Sequence, residues 1–269
     1  MKGRLNETLR VYLNVLNYRV LISTGMAILA TYLSHKYVLI FNLDLTLVSV
    51  AVVFPLVFTL GSAFDRRERA LEHLGRAKGA LTAIKYCFSY SNKVSDEDKA
   101  SIAEEISNVK FELIQFLYNK SNDKTELNKA IGRIQEFIVL HSEALNRRIA
   151  LRVYRLMRDV IMGVENSISI KMHRTPKSIR AYCLFFIYIF PFFYAPTLIR
   201  NIEYQYADIG EIMNTAELFS NRYALIVYGL NILISFILIV LYNVQEQIEY
   251  PFDQQGIDDI QLKNFEMDY

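Results

Sequence analysis

Four apolar runs set the first limit on how this chain can fold. A helix crosses the roughly 30 Å hydrocarbon core of a bilayer with about 20 apolar residues, and the runs at 20–33, 45–64, 181–199 and 223–244 meet or approach that length. In lipid every backbone polar group needs an internal partner, so such runs are expected to be helices. The first run, "VLISTGMAILATYL", is the shortest and needs Tyr18, Arg19 and Tyr37 as interfacial flanks. Lys2, Arg4, Arg10 and Arg19 before it imitate a signal peptide, but no small-residue cleavage site follows, so the run reads as a retained helix. Pro191 and Pro196 inside the third run predict a kink, or a break near its far end.

The hydrophobic fraction is 52% and the mean hydropathy +0.17, high for a soluble domain, yet 22% of residues are charged. The charges therefore gather outside the apolar runs, and the protein should be part membrane and part water-exposed. With residues 1–19, 65–180 and 245–269 on one side, that side holds every Lys and Arg except Lys36, Arg200 and Arg222. The basic cluster "DRRER" at 65–69 adjoins a run directly, where positive charge most strongly marks the cytoplasmic side. Both termini are expected in the cytoplasm, and in a bacterium the protein would lie in the inner membrane.

Residues 65–180 place apolar residues at three- and four-residue spacing with charges between, which predicts a helical bundle. Ser95 with Asp98 three residues later is close to a capping box, and "SNDKTE" at 121–126 supplies a turn. The fold class is accordingly all-α. Its expected parts are 1–64 with the first two spans, 65–180 as cytosolic bundle, 181–244 with the last two spans, and 245–269 as an acidic tail.

Several function classes drop out. A net charge of +2 without aromatic-interleaved basic stretches gives no reason to expect nucleic acid. Cys87 and Cys183 lie far apart and imply neither a disulfide framework nor a redox pair. His141, Glu143 and His173 lack the spacing of H-E-x-x-H and read as solvated positions. No phosphate loop or nucleophile elbow occurs, so no enzyme is expected.

The second run passes without a break from "FPLVFTLGSAF" into "DRRERALEHLGRAKGALTAI", and "RERALE" at 67–72 resembles the bestrophin channel family's motif A-Y-E-R-W-W-E, with Ala70 and Leu71 where the family has a Trp pair. The tail "EQIEYPFDQQGIDDIQL" is similar to the family's E-Q-x-x-x-P-F-G and acidic cluster, matched by Glu246, Gln247, Pro251, Phe252, Asp258, Asp259 and Leu262 with one residue inserted. "RTPKSIRAY" opens the third run in a family-like way.

This resemblance implies a homopentamer around one pore, each subunit giving four spans and a cytosolic bundle. It also implies an apolar neck on the second helix at Val53, Val57 and Gly61, or at Phe54 and Phe58 if the register slips by one. Residues 45–64 carry no ionisable group, so a neck made of them gates by dewetting and leaves ion choice to pore width, backbone dipoles or charges elsewhere. At the outer mouth, Asp44 and the acidic loop with Glu203, Asp208 and Glu211 would surround the entrance together with Lys36 and favour cations. In the tail, the resemblance implies calcium held by Asp258 and Asp259 with carbonyls near Gln247 and Tyr250. Asp253 stands where the family has Gly, and the alternative is a structural staple packed through Pro251 and Phe252. No motif requires a cofactor, calcium being the one ligand implied. The expected function is conduction of small monovalent ions, chloride or other anions by the family default, with cation conduction as the alternative. A membrane-anchored scaffold or sensor without a pore is a third reading. The expected partners are lipid, further copies of the chain and permeant ions.

Overall fold

The computed structural model of the chain describes residues 16–119, 122–145, 147–173, 176–203, 222–254 and 259–262. Among these, seven α-helices and no strand occur: α1 Tyr18–Lys36, α2 Leu45–Ser89, α3 Asp96–Tyr118, α4 Thr125–Leu140, α5 Arg147–Met172, α6 Lys177–Leu198 and α7 Arg222–Ile248. A π-helical turn, Ile199–Glu203, follows α6.

Local chemistry explains the helix ends. Asn17 accepts from the Arg19 amide (3.0 Å) to start α1, and Asp44 accepts from the Thr46 amide (2.9 Å) to start α2. The capping box of α3 forms, with the Asp98 amide donating to Ser95 Oγ (3.1 Å) and the hydroxyl donating to the Asp98 carboxylate (2.7 Å). The helix α1 ends in a Schellman-type turn in which Val38 sits at φ 50°, the left-handed position that Gly usually fills. Pro191 and Pro196 do not break α6. The helix runs through both and loosens to π winding only at Ile199.

The chain divides into two compact units, one of Met1–Ala63 with Thr175–Glu246, the other of Phe64–Arg174 with Gln247–Tyr269. In the first unit, Val52, Leu56, Cys183, Ile187, Phe190, Leu238 and Ile239 share a core. Among the described residues, three helical segments are long and apolar enough to cross a membrane: Ser49–Ser89, Lys177–Ile202 and Tyr223–Ile248. The expected fourth span, α1, has 19 residues and does not reach the same apolar content, because its buried face carries Ser23, Thr31 and Ser34. Those hydroxyls have partners. Asn231 Nδ2 on α7 donates to Thr31 Oγ1 (2.9 Å) and to the Ala27 carbonyl (3.1 Å), and Ser23 Oγ donates to the Ser235 carbonyl (3.3 Å). Polar contact thus joins α1 to α7 where hydrophobic burial offers little driving force in lipid.

The second unit is a helical bundle around Leu74, Leu81, Ile84, Ile106, Ile134, Met157 and Val160. Antiparallel helices α2 and α5 form its spine. Arg66 donates to the Ile170 carbonyl, Gly163 lies on His73 and Ala77, and Arg76 pairs with Asp159, so each step along α2 is matched by an opposite step along α5.

Candidate functional site

The helix α2 is 45 residues long, roughly 68 Å at 1.5 Å per residue. Pro55 lies within it without ending it. Its buried residues recur at three- and four-residue steps through Val52, Leu56, Thr59 and Ala63, and again through Ala70, Leu74, Ala77, Leu81, Ile84 and Phe88. That spacing keeps one side of a helix inward. The opposite side is uncovered. Val53 is 40% exposed, Val57 55%, Phe54 59% and Phe58 62%, and the space beside Gly61 is open. Both expected neck registers therefore lie on the uncovered side, and Phe54 and Phe58 stack edge to face at 4.4 Å. In a membrane span such an apolar face can meet lipid, a neighbouring helix or a lumen.

Of the expected outer-mouth residues, Asp44 is exposed and its carboxylate is used in capping α2, with the Thr46 hydroxyl and amide holding it below the usual carboxylate range. Glu203 closes the π-helical turn. Asp208 and Glu211 fall outside the described residues. Lys36 lies over the rings of Tyr37 and Tyr32, at 5.6 and 5.9 Å.

The tail folds into a closed hook in the second unit. The Ile260 amide donates to the Pro251 carbonyl (2.8 Å) and Gln254 Nε2 donates to the Ile260 carbonyl (2.6 Å). Pro251 is buried, and Phe252, Ile260 and Leu262 enter the bundle core. The two carbonyls considered for calcium accept turn hydrogen bonds, Gln247 from the Tyr250 amide (3.2 Å) and Tyr250 from the Asp253 amide (3.4 Å). Asp258 lies outside the described residues, Asp259 is partly buried, and among the described residues no group of three His, Cys, Asp or Glu gathers to hold a metal.

Beside the hook is a cavity of about 480 Å³ that the sequence did not announce, lined in part by Arg66, Tyr118, Lys171, Glu249 and Asp253. Its two cations have structural work. Lys171 Nζ donates to the carbonyls of Phe116 and Asn119 (2.7 Å for the latter) at the end of α3, and burial lowers its pKa. Arg66 serves the end of α5 through Ile170. His141 also departs from expectation. It is not a solvated helix position but follows α4 in a turn, with a 15% exposed side chain that stacks on Phe137 and lies 3.3 Å from Asp98.

No protein-family model matches the sequence, and no curated protein does. Solved structures do match. A bacterial bestrophin homologue from Klebsiella pneumoniae superposes with a TM-score of 0.70 over 92% of this chain and 93% of its own, at 13% identity. A crystal structure of a membrane-protein variant gives 0.72 over 92% of each chain, also at 13% identity. The chain has the bestrophin fold.

Proposed function

We propose that the chain is an integral membrane subunit of a homo-oligomeric ion channel, a pentamer on the family pattern, with α1 as its fourth span and both termini cytoplasmic. In this reading α2 lines the pore and its uncovered apolar side forms the neck, in the register of Val53, Val57 and Gly61. The permeant species are small monovalent ions, with anions such as chloride favoured. The observation that carries the proposal is the division of α2 over residues 52–63 into a buried side and an apolar exposed side within a bestrophin fold. Five such helices around an axis would form a narrow, uncharged constriction. The hook acts as a structural staple, since its apolar residues are spent in the bundle core.

A second reading, cation conduction through the same pore, draws on the exposed Glu68 and Glu72 on the uncovered side of α2 and on the ionised Asp44 at its start. Reversal potentials separate the two. Purified protein in liposomes under a potassium chloride gradient should reverse near the chloride potential for the anion reading and near the potassium potential for the cation reading. Absence of flux from folded, oligomeric protein would rule out both and leave the scaffold.

A further inference from the structure

Within the helical bundle, α3 and α5 are not among the membrane-length segments, yet each leaves apolar side chains uncovered. Phe111 on α3 is 54% exposed, and Leu151 and Met162 on α5 are 56% and 43% exposed. Apolar surface gathered in this way on a water-facing element marks an interaction site.

The two uncovered faces match in spacing. One presents Ala100, Glu104, Ser107 and Phe111 on α3, the other Leu151, Arg155, Arg158 and Met162 on α5, all exposed. Both sets advance by four, three and four residues, which keeps each in one row along its helix. Laid side by side in parallel, the rows set the small Ala100 against Leu151, the Glu104 carboxylate against the Arg155 guanidinium, the Ser107 hydroxyl against Arg158 and the Phe111 ring against the Met162 sulfur. Arginine with a carboxylate and a thioether with an aromatic ring are both favourable pairs. The nearby charges are already engaged, Glu105 with Arg133 (2.8 Å) and Arg158 with Asp159 (3.6 Å), whereas among the described residues Glu104 and Arg155 meet no opposite charge in their own subunit. A groove of about 430 Å³ runs beside the α3 row, lined by Glu104, Glu105, Ser107, Asn108 and Phe111.

One subunit cannot bring these rows together. The bundle part of α2 neighbours both α5, through Ala77 and Gly163, and α3, where Lys110 lies in the field of Lys78 and Lys85. Helix α4 likewise neighbours both, through Arg133 to Glu105 on α3 and through Lys124 at its head to Glu165 on α5 (3.3 Å). Helices α3 and α5 are therefore diagonal in the bundle, and since both bury their inner sides in the same core, their uncovered rows turn away from each other. They also run in the same direction, because Lys171 near the end of α5 reaches the Phe116 and Asn119 carbonyls at the end of α3. Rotation about an axis along the bundle keeps that direction, so α3 of one copy lies parallel to α5 of the next. A contact between two different faces of identical chains closes into a ring when the rotation closes.

Resting on the homo-oligomer reading, we infer that the occupant of the α3 row is the α5 row of a second copy of this chain, in parallel register with Glu104 on Arg155 and Phe111 on Met162. Arg, Met and aromatic residues are the types enriched in such interfaces, and the opposite charges fix which face meets which.

The test uses purified full-length protein in detergent, with its oligomeric mass read by light scattering after size-exclusion chromatography. Arg155→Glu and Glu104→Arg should each assemble only at roughly tenfold higher concentration than wild type, and the double variant Glu104→Arg/Arg155→Glu, which exchanges the charges, should recover wild-type assembly. Separately, oxidised Phe111→Cys/Met162→Cys protein should give a ladder of disulfide-linked chains on a non-reducing gel, where either single variant gives at most dimers. Charge variants that assemble like wild type, or losses that the exchange does not restore, overturn the Glu104–Arg155 pairing. Absence of the ladder overturns the contact as a whole, even where a charge variant fails to fold. In both cases an oligomeric wild type leaves the homo-oligomer reading standing and gives these rows to another partner or to a lipid surface. A folded wild type with the mass of one chain removes that reading together with the inference.

Discussion

Gly163 on α5 lies so close to Ala77 on α2 that a Cβ added to the glycine would sit 3.0 Å from the alanine Cβ, 2.9 Å from its amide nitrogen and 2.7 Å from the His73 carbonyl oxygen. Two of these neighbours are backbone atoms, which cannot rotate away. Gly163→Ala gains up to about 1 kcal/mol of helix propensity but forces overpacking that costs about 1–3 kcal/mol. Net destabilisation is expected, seen as a lower thermal midpoint. Gly132→Ala on α4, where the added carbon meets nothing within 4 Å, should instead stabilise. Equal shifts in the two variants would refute the close approach.

A second prediction concerns acid. The Ser95 hydroxyl, with the amide and the nearby His141 behind it, holds the Asp98 carboxyl below its ordinary value. A depressed folded value means that the cap contributes fully above about pH 4, the unfolded value, and loses that contribution as pH falls through the folded value. The start of α3 should therefore loosen on acidification, read as faster amide exchange near Ser95–Lys99. Asp98→Asn should flatten that dependence, and an unchanged pH profile in the variant would exclude this carboxylate as its source.

Val38 offers a gain. A β-branched residue at φ 50° is strained, and the left-handed conformation costs about 1–2 kcal/mol for residues other than Gly. Val38→Gly relieves this and pays about 0.5–1 kcal/mol in unfolded-chain entropy. A modest rise in the thermal midpoint in detergent is expected, and Leu39→Gly serves as the comparison that should not rise.

The pore face is tested by placing charge on it. Val57→Glu should alter conductance while leaving the oligomer intact, because Val57 is exposed in the subunit. Leu56→Ala, on the buried side at 1% exposure, should instead cost about 2–5 kcal/mol of stability. Phe54→Ala and Phe58→Ala discriminate the register, since a neck at Val53, Val57 and Gly61 tolerates them with little change in single-channel current.

Much of the fold was legible because it is local. Apolar spacing announced the helices, Ser95 and Asp98 announced a cap, and the unbroken run from the second span into polar sequence announced the long α2. What stayed hidden depends on residues far apart in the chain. Asn231 reads as an isolated polar residue until α1 is seen to bring Thr31 and Ala27 to it, and His141 reads as solvated until Asp98 appears beside it. The neck register is ambiguous for a different reason. Val53 and Phe54 are both apolar and both uncovered, so neither periodicity nor burial in one subunit separates them.

The hook has a consequence for how the protein is made. Phe252, Ile260 and Leu262 complete a core whose other members come from residues 70–168, and α6 and α7 are translated between the two. The bundle emerges from the ribosome first, yet it must wait, with part of its interior unfilled, until two membrane-length helices have followed. Such distant closure slows folding and prolongs exposure of apolar surface. Synthesis thus has a vulnerable interval that ends only when the last described residues reach the core.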